Sequence, residues 1–175
     1  VYADIEPHTF NIDPVDVERK ITEKTKAIIV VALYGLPANM KAIMEISNKY
    51  QIPVIEDNAQ CFLSKHNNKL AGTWGHIASW SFENSKHMSC GEGGIITTNN
   101  EEYAKLARKI AGHGYKNLEA STGQIKLNQK IYQNPNYKRH DEIGWNYRLS
   151  EFNAAVALAQ LEDLDIKVSR RKTVA

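Results

Sequence analysis

Cysteine is scarce. Cys61 and Cys90 are the only two in 175 residues, too few for a disulfide framework and wrongly spaced for a metal cage. A reducing, cytoplasmic setting suits such a chain. No apolar run reaches the length of a bilayer-crossing helix, so no membrane partner is expected. Charge of one sign is lacking too. Lys and Arg number 22 against 20 Asp and Glu, a net +2, which argues against a nucleic-acid groove or an anionic-membrane surface. There is no Gly-x-Gly-x-x-Gly opening a helix after the first strand and no Gly-x-Ser-x-Gly elbow. His8, His66, His76, His113 and His140 are scattered without metal spacing, so no metal site is expected. Low-complexity tracts, linkers and internal repeats are also missing.

What is present is an ordinary globular composition, 42% hydrophobic and 24% charged, in a chain long enough for one sizeable core. Residues 1–5 read as a short strand. Asp13 followed by Pro14 predicts a helix start, with the acid as cap, and the helix extends to about Ile21. The β-branched run 27–33 reads as a strand buried on both faces. Asn39 caps the next helix, with Ile43, Met44 and Ile46 inward and Lys41, Asn48 and Lys49 outward. Strands follow at 53–57, 77–82 and 94–98, with a turn at Asn67-Asn68-Lys69. Asn100 starts a helix over 101–111. Residues 112–142 are polar and aperiodic, and so long an irregular segment is usually functional or mobile. From Ser150 onward, Ala154, Ala155, Leu158, Leu161 and Leu164 follow helical spacing into Ala175. Strands alternating with helices predict an α/β fold, three layers around a mainly parallel sheet.

Residues 80–94, WSFENSKHMSCGEGG, organise the chain. They begin as a strand, place Lys86 just past its end and close on Gly91, Gly93 and Gly94. Desolvation disfavours an ammonium, and a neutral lysine amine attacks aldehydes to form a Schiff base. The competing reading is a surface lysine in a loop. Asp57 closes another strand at the same sheet edge, where ligands of such folds collect. It suits either a helix cap or an acidic partner for a protonated ring nitrogen, the requirement of pyridoxal phosphate. Gln60, three residues on, can donate to a phenolic oxygen or lie on the surface. The Ser81 hydroxyl can bind a phosphate oxygen or the strand backbone. The glycines permit positive φ or close backbone approach, for a ligand or simply for a turn. Asn146 and Arg148 can bind an anion, or belong to the start of a helix capped by Ser150.

Taken together, these pieces resemble the pyridoxal-phosphate-dependent nucleotide-sugar aminotransferases, the DegT/DnrJ type of the aspartate-aminotransferase fold (fold type I). The matching pieces include Asn11-Ile12-Asp13-Pro14, Leu33-Tyr34-Gly35, residues 55–60 (IEDNAQ), Ser81-Phe82, Lys86, Gly91-Glu92-Gly93-Gly94 and Gly144-Trp145-Asn146-Tyr147-Arg148. The resemblance implies that residues 1–175 are part of the cofactor-binding large domain. An N-terminal segment and a C-terminal small domain are then expected to be absent from this chain. It implies that Lys86 is the Schiff-base lysine and proton shuttle, Asp57 the pyridinium partner and Gln60 the neighbour of the phenolic oxygen. Ser81 becomes a phosphate ligand. Asn146 becomes a residue donated across a homodimer interface, with Arg148 a weaker candidate beside it. Where the family usually has a histidine before Leu-Tyr-Gly, this chain has Ala32.

The implied cofactor is pyridoxal 5'-phosphate. The implied reaction moves an amino group from an amino acid, usually glutamate, to a nucleotide-linked keto-sugar, for surface polysaccharide or glycoside biosynthesis. Three alternatives stand beside it. One is a sugar dehydratase of the same fold, in which histidine replaces the lysine; His87 adjoins Lys86 and raises the question of register. The others are a non-catalytic regulator or scaffold and a plain α/β binding domain.

Overall fold

A computed structural model of the chain describes residues 1–118 and 128–174. Two compact units result, one from Val1–Thr97 with Ser150–Ala175, the other from Thr98–Leu149. Among the described residues no helix is long and apolar enough to cross a membrane.

The first unit is built on a four-stranded sheet ordered β1 (Ile28–Val31), β2 (Val54–Asp57), β5 (Ile77–Ser81), β6 (Gly94–Thr97). The first three strands run parallel and β6 is antiparallel to β5. The fold is therefore α/β with a mainly parallel sheet. Helix α1 (Pro14–Lys20) starts as the sequence predicts, with the Asp13 side chain accepting from Val15 N–H and Pro14 in the first turn. Helix α2 (Met40–Tyr50) is capped by Asn39, which accepts from Ala42 N–H, and buries Ile43 and Ile46. These helices cover one sheet face, where Val17, Met40, Ile43 and Ile46 pack on Ile28, Val30 and Val54. Between β2 and β5 lies a small hairpin, β3 (Lys65–His66) with β4 (Lys69–Leu70). Asn67 and Asn68 turn it with φ of 47° and 62°, left-handed values that asparagine tolerates well.

Helices α5 (Glu151–Glu162) and α6 (Leu164–Val174) belong to the same unit. Ala157, Leu164 and Val168 form a second core with Phe62, Phe82, Met88 and Cys90. In the second unit, α3 (Glu101–Ala111) is capped by Asn100, as predicted, and α4 (Gln129–Tyr132) is a single turn.

Four expectations need correction. Residues 1–5 form no strand; Ile5 makes only an isolated bridge to Ile12. The first strand is not buried on both faces, because Ile29 is 61% exposed and Val31 41%. The helices α1 and α2 cover only the Ile28 and Val30 side. The last helix is two helices, broken at Asp163, and its inner face differs from the expected one. Ala157 and Leu164 are buried while Leu158 and Leu161 stand exposed. The irregular segment 112–142 contains α4, and its residues 119–127 lie outside the described residues, as does Ala175.

Candidate active site

Strand register brings two of the expected residues onto one face. Asp57 pairs with Ser79 of β5. Ser81, two residues further along β5, shares the pleat face of Ser79, because side chains alternate along a strand. That face is opposite to the one carrying Val54, Glu56 and Ala78, which turn into the interior. Both residues stand at the carboxyl ends of parallel strands, and both are half-buried.

The polar atoms of these residues are already oriented. Asp57 Oδ1 accepts from Ala59 N–H at 3.0 Å, so one carboxylate oxygen fixes the chain's turn and the other remains to accept. Gln60 Oε1 accepts from Tyr34 N–H at 2.9 Å. A backbone N–H can be matched only by the amide's oxygen, and so the Gln60 amide nitrogen is left as a donor. Ser81 Oγ accepts from Glu83 N–H at 3.3 Å, which leaves the hydroxyl proton to donate.

Lys86 is half-buried in the loop 82–93 that joins β5 to β6. The base of this loop is pinched shut: Phe82 N–H donates to Gly93 O at 2.9 Å and Cys90 N–H to Phe82 O at 3.0 Å. Ser89 Oγ donates to Phe82 O as well. From α5, the Asn153 amide donates to Cys90 O at 3.2 Å and to Glu92 O at 3.0 Å. The glycines serve two local needs. Gly91 has φ +87°, and a Cβ on Gly94 would meet Trp80 O at 2.6 Å, so one answers backbone conformation and the other close approach. Lys86 N–H donates to Glu83 O at 3.1 Å. The Glu83 carboxyl sits below its usual range, chiefly because the Ser85 hydroxyl and N–H donate to it, with Lys86 a smaller electrostatic contribution. His87, next to Lys86, packs its ring on Phe62 at 5.4 Å between centroids.

Sequence reasoning missed the residues that hold this edge in shape. Asn11 is 2% exposed; it accepts from Leu33 N–H at 3.1 Å and donates to Leu36 O at 3.0 Å. It thereby fixes the tight turn Leu33–Gly35, in which Tyr34 and Gly35 have φ of 53° and 85°, and that turn is the one holding Gln60. Glu56, also 2% exposed, accepts from the N–H groups of Gly72, Trp74 and Gly75 at 2.5–2.8 Å. A buried carboxylate with three donors is a structural tie for that turn. Both lie in stretches that carry the resemblance, but nothing in the local sequence marked them as buried ties.

In the second unit, the segment 143–149 is irregular, with Asn146 in an isolated bridge to Gly112. Trp145 N–H donates to Ile110 O at 2.6 Å, Tyr147 N–H to Ala111 O at 2.9 Å, and Trp145 O accepts from His113 N–H at 2.8 Å. The chain crosses itself at Gly114 and Gly144, where a Cβ on either would strike the other strand's backbone. Asn146 Oδ1 accepts from Arg148 Nε at 2.9 Å. The Asn146 amide nitrogen and the outer guanidinium nitrogens of Arg148 remain as donors to an anion, and both side chains are exposed.

Residues 1–175 match the DegT/DnrJ/EryC1/StrS aminotransferase family. The chain is 35% identical over 175 residues to GDP-perosamine synthase of Escherichia coli O157:H7, covering all of this chain and 43% of that protein. It is 40% identical over 176 residues to UDP-2-acetamido-2-deoxy-3-oxo-D-glucuronate aminotransferase of Pseudomonas aeruginosa, covering all of this chain and 44% of that one. Among solved structures, E. coli GDP-4-keto-6-deoxy-D-mannose-3-dehydratase with bound hydrated PLP superposes with a TM-score of 0.82 at 32% identity, over 97% of this chain and 44% of that one. The chain thus spans less than half the length of the relatives it matches.

Proposed function

The chain belongs to the DegT/DnrJ/EryC1/StrS aminotransferase family, and from that premise we propose that it is the cofactor-binding part of a PLP-dependent aminotransferase acting on a nucleotide-linked keto-sugar. The observation that carries this reading is the donor and acceptor set at the sheet's carboxyl edge. Asp57 and Ser81 share one face, Gln60 is turned with its amide nitrogen free, and Lys86 follows on the adjoining loop. Their chemistry fits pyridoxal phosphate. A carboxylate suits the ring nitrogen, an amide donor the phenolic oxygen, a hydroxyl donor the phosphate and an amine the aldehyde. When bound, the cofactor supplies the electron sink.

The chain's own residues then have defined work. Asp57 holds the proton on the ring nitrogen, as a nearby anion favours the cationic form. Gln60 Nε2 donates to the phenolic oxygen. Ser81 Oγ–H donates to the phosphate, and the Asn146 amide of a second subunit donates to the same group. Lys86 Nζ would be the amine that holds the cofactor's aldehyde carbon and the base that carries the proton during transfer. The amino donor is an amino acid, with glutamate the first choice. The enzyme is a cytoplasmic homodimer with shared sites, serving surface polysaccharide or glycoside biosynthesis.

The dehydratase alternative needs histidine where this chain has Lys86. The packing of the His87 ring on Phe62 weighs against its taking that place. A set with both the amine and the acid intact also weighs against a non-catalytic regulator.

The test uses the protein with its cofactor. Borohydride treatment is expected to fix pyridoxyl mass on the peptide carrying Lys86, and a panel of keto-sugar nucleotides should return an aminated product. Lys86→Ala is expected to abolish both, at least the roughly 10²–10⁴-fold worth of a positioned base. Wild-type-like amino transfer by that variant would refute the reading.

A further inference from the structure

The histidine beside the lysine has no role in the reading above, yet it is the most unusual side chain of the loop. His87 Nδ1 is buried with no hydrogen-bond partner. The ring lies 5.4 Å from Phe62, whose own ring is 5.3 Å from Trp80. Met88, the next residue, is buried with Phe62, Phe82 and the α6 residues Leu164 and Val168. Met88 is thus a core residue of the loop, beside Phe82 and Cys90, and His87 leans on that core between it and Lys86.

A buried ring nitrogen without a partner decides the tautomer. The neutral ring keeps its proton on Nε2 and leaves Nδ1 as a bare lone pair, the cheaper of the two groups to bury unpaired. Protonation would place a charged N–H at Nδ1 against apolar atoms with nothing to accept it. The groups acting on the ring are Arg171 of α6 and Lys86 of its own loop, both cationic. Phe62 brings no charge, and of the loop's two carboxylates Glu83 is engaged by Ser85 and Glu92 is exposed. In keeping with this, His87 sits below the ordinary 6.5, mainly through burial, with Arg171 and then Lys86 adding to it.

We propose that His87 is the positioning residue of Lys86: the neutral imidazole, seated on Phe62, locks the loop, and protonation expels the ring and unseats the lysine. The sign follows from the lowered pKa. Between the unfolded value of 6.5 and the folded value beneath it, the released ring binds more protons than the seated one. Acid therefore favours the open loop, and the seating is restored as pH rises. The consequence is an acid limit on cofactor attachment set by a group other than the lysine. This rests on the reading of Lys86 as the cofactor lysine.

Two measurements separate the claims. In the cofactor-free protein, the His87 ring resonance, identified by its absence in His87→Phe, is followed against pH by NMR. It should titrate below 6.5, with the amide signals of residues 83–90 shifting at the same midpoint. A midpoint at or above 6.5, or titration without change in the loop, overturns the proposal. In the second, borohydride trapping of pyridoxal phosphate on Lys86 is measured across roughly pH 5 to 8. Wild-type trapping should fall with acid at the His87 midpoint. In His87→Phe the acid limb should move down by about one pH unit or more, and His87→Asn, which cannot titrate, gives the same comparison if the phenyl ring overpacks. An acid limb unchanged in both variants overturns the proposal. Lys86→Ala tests the other claim: trapping that survives in it removes the lysine assignment, while the His87 titration stands or falls on its own.

Discussion

The two polar sets, Asp57 with Gln60 and Ser81 in one unit and Asn146 with Arg148 in the other, are held by different means. The first rests on a sheet with a packed core beneath it, and side chains from distant parts of the chain tie its turns: Asn11, Glu56 and Asn153 each bind backbone groups at least 16 residues away. The second lies on an irregular segment that main-chain bonds join to the end of α3. Around it Ile143 is 87% exposed, Trp145 58% and Tyr147 70%. The chain itself pre-organises the first set. The second has its backbone in place and its apolar side chains uncovered.

The largest effect is expected at Glu56, whose carboxylate holds three N–H groups. Glu56→Ala leaves three half-buried backbone donors, those of Gly72, Trp74 and Gly75, without their carboxylate, and each group so stranded costs about 1 kcal/mol or more. Urea unfolding should show a loss of about 3 kcal/mol or more, with cofactor binding lost alongside. A change under 1 kcal/mol would mean that the turn 71–75 does not depend on it. Next is Gly114→Ala. Gly114 has φ +72° and its new Cβ would strike Glu142 O, so about 2–4 kcal/mol of strain must be relieved by moving the crossing. Anion affinity through Asn146 should weaken while the Gln60 side stays intact. Equal damage to both sets would erase the distinction drawn here.

Asn11→Ala sharpens the first half of the comparison. It removes two bonds to the Leu33–Gly35 turn, worth about 1–3 kcal/mol, and frees Tyr34 and hence Gln60. A shift in the absorbance of the bound cofactor, more than a loss of global stability, is the expected signature. The smallest effect is one of pH. Asp16 is held down to about 2 from the ordinary 3.8, first by the hydrogen bond from Lys20, then by Asp4 N–H. A carboxyl with lowered pKa stabilises the fold above 3.8, and that contribution is lost as pH falls through about 2. Asp16→Asn should flatten the acid side of the stability curve in that window, and an unchanged slope would show that Asp16 is not its source.

The legible parts were local. Asn39, Asn100 and Ser150 each cap the helix that the sequence places after them, since a cap acts within three residues. Asp57 and Lys86 could be placed at one sheet edge because an acid ending an apolar strand and a lysine after one both mark strand ends. The inner face of α5 was not legible. Its residues are apolar nearly all round, so spacing offered more than one face, and packing onto Phe62 and Phe82 chose Ala157. Nor were the partners of Asn11 and Glu56 visible, as nothing in a linear reading distinguishes a buried polar residue with distant partners from a solvated one.

By itself, the order of residues determined the alternation of strands and helices, the helix starts and the chemical types assembled at the carboxyl edge, because propensity, capping and pattern act over a few neighbours. Only tertiary structure decided which strand faces are covered, that the Gln60 amide oxygen is taken by Tyr34 N–H, and that the His87 ring packs on Phe62. Those outcomes depend on contacts between segments remote in the chain, and register and burial, rather than local preference, select them.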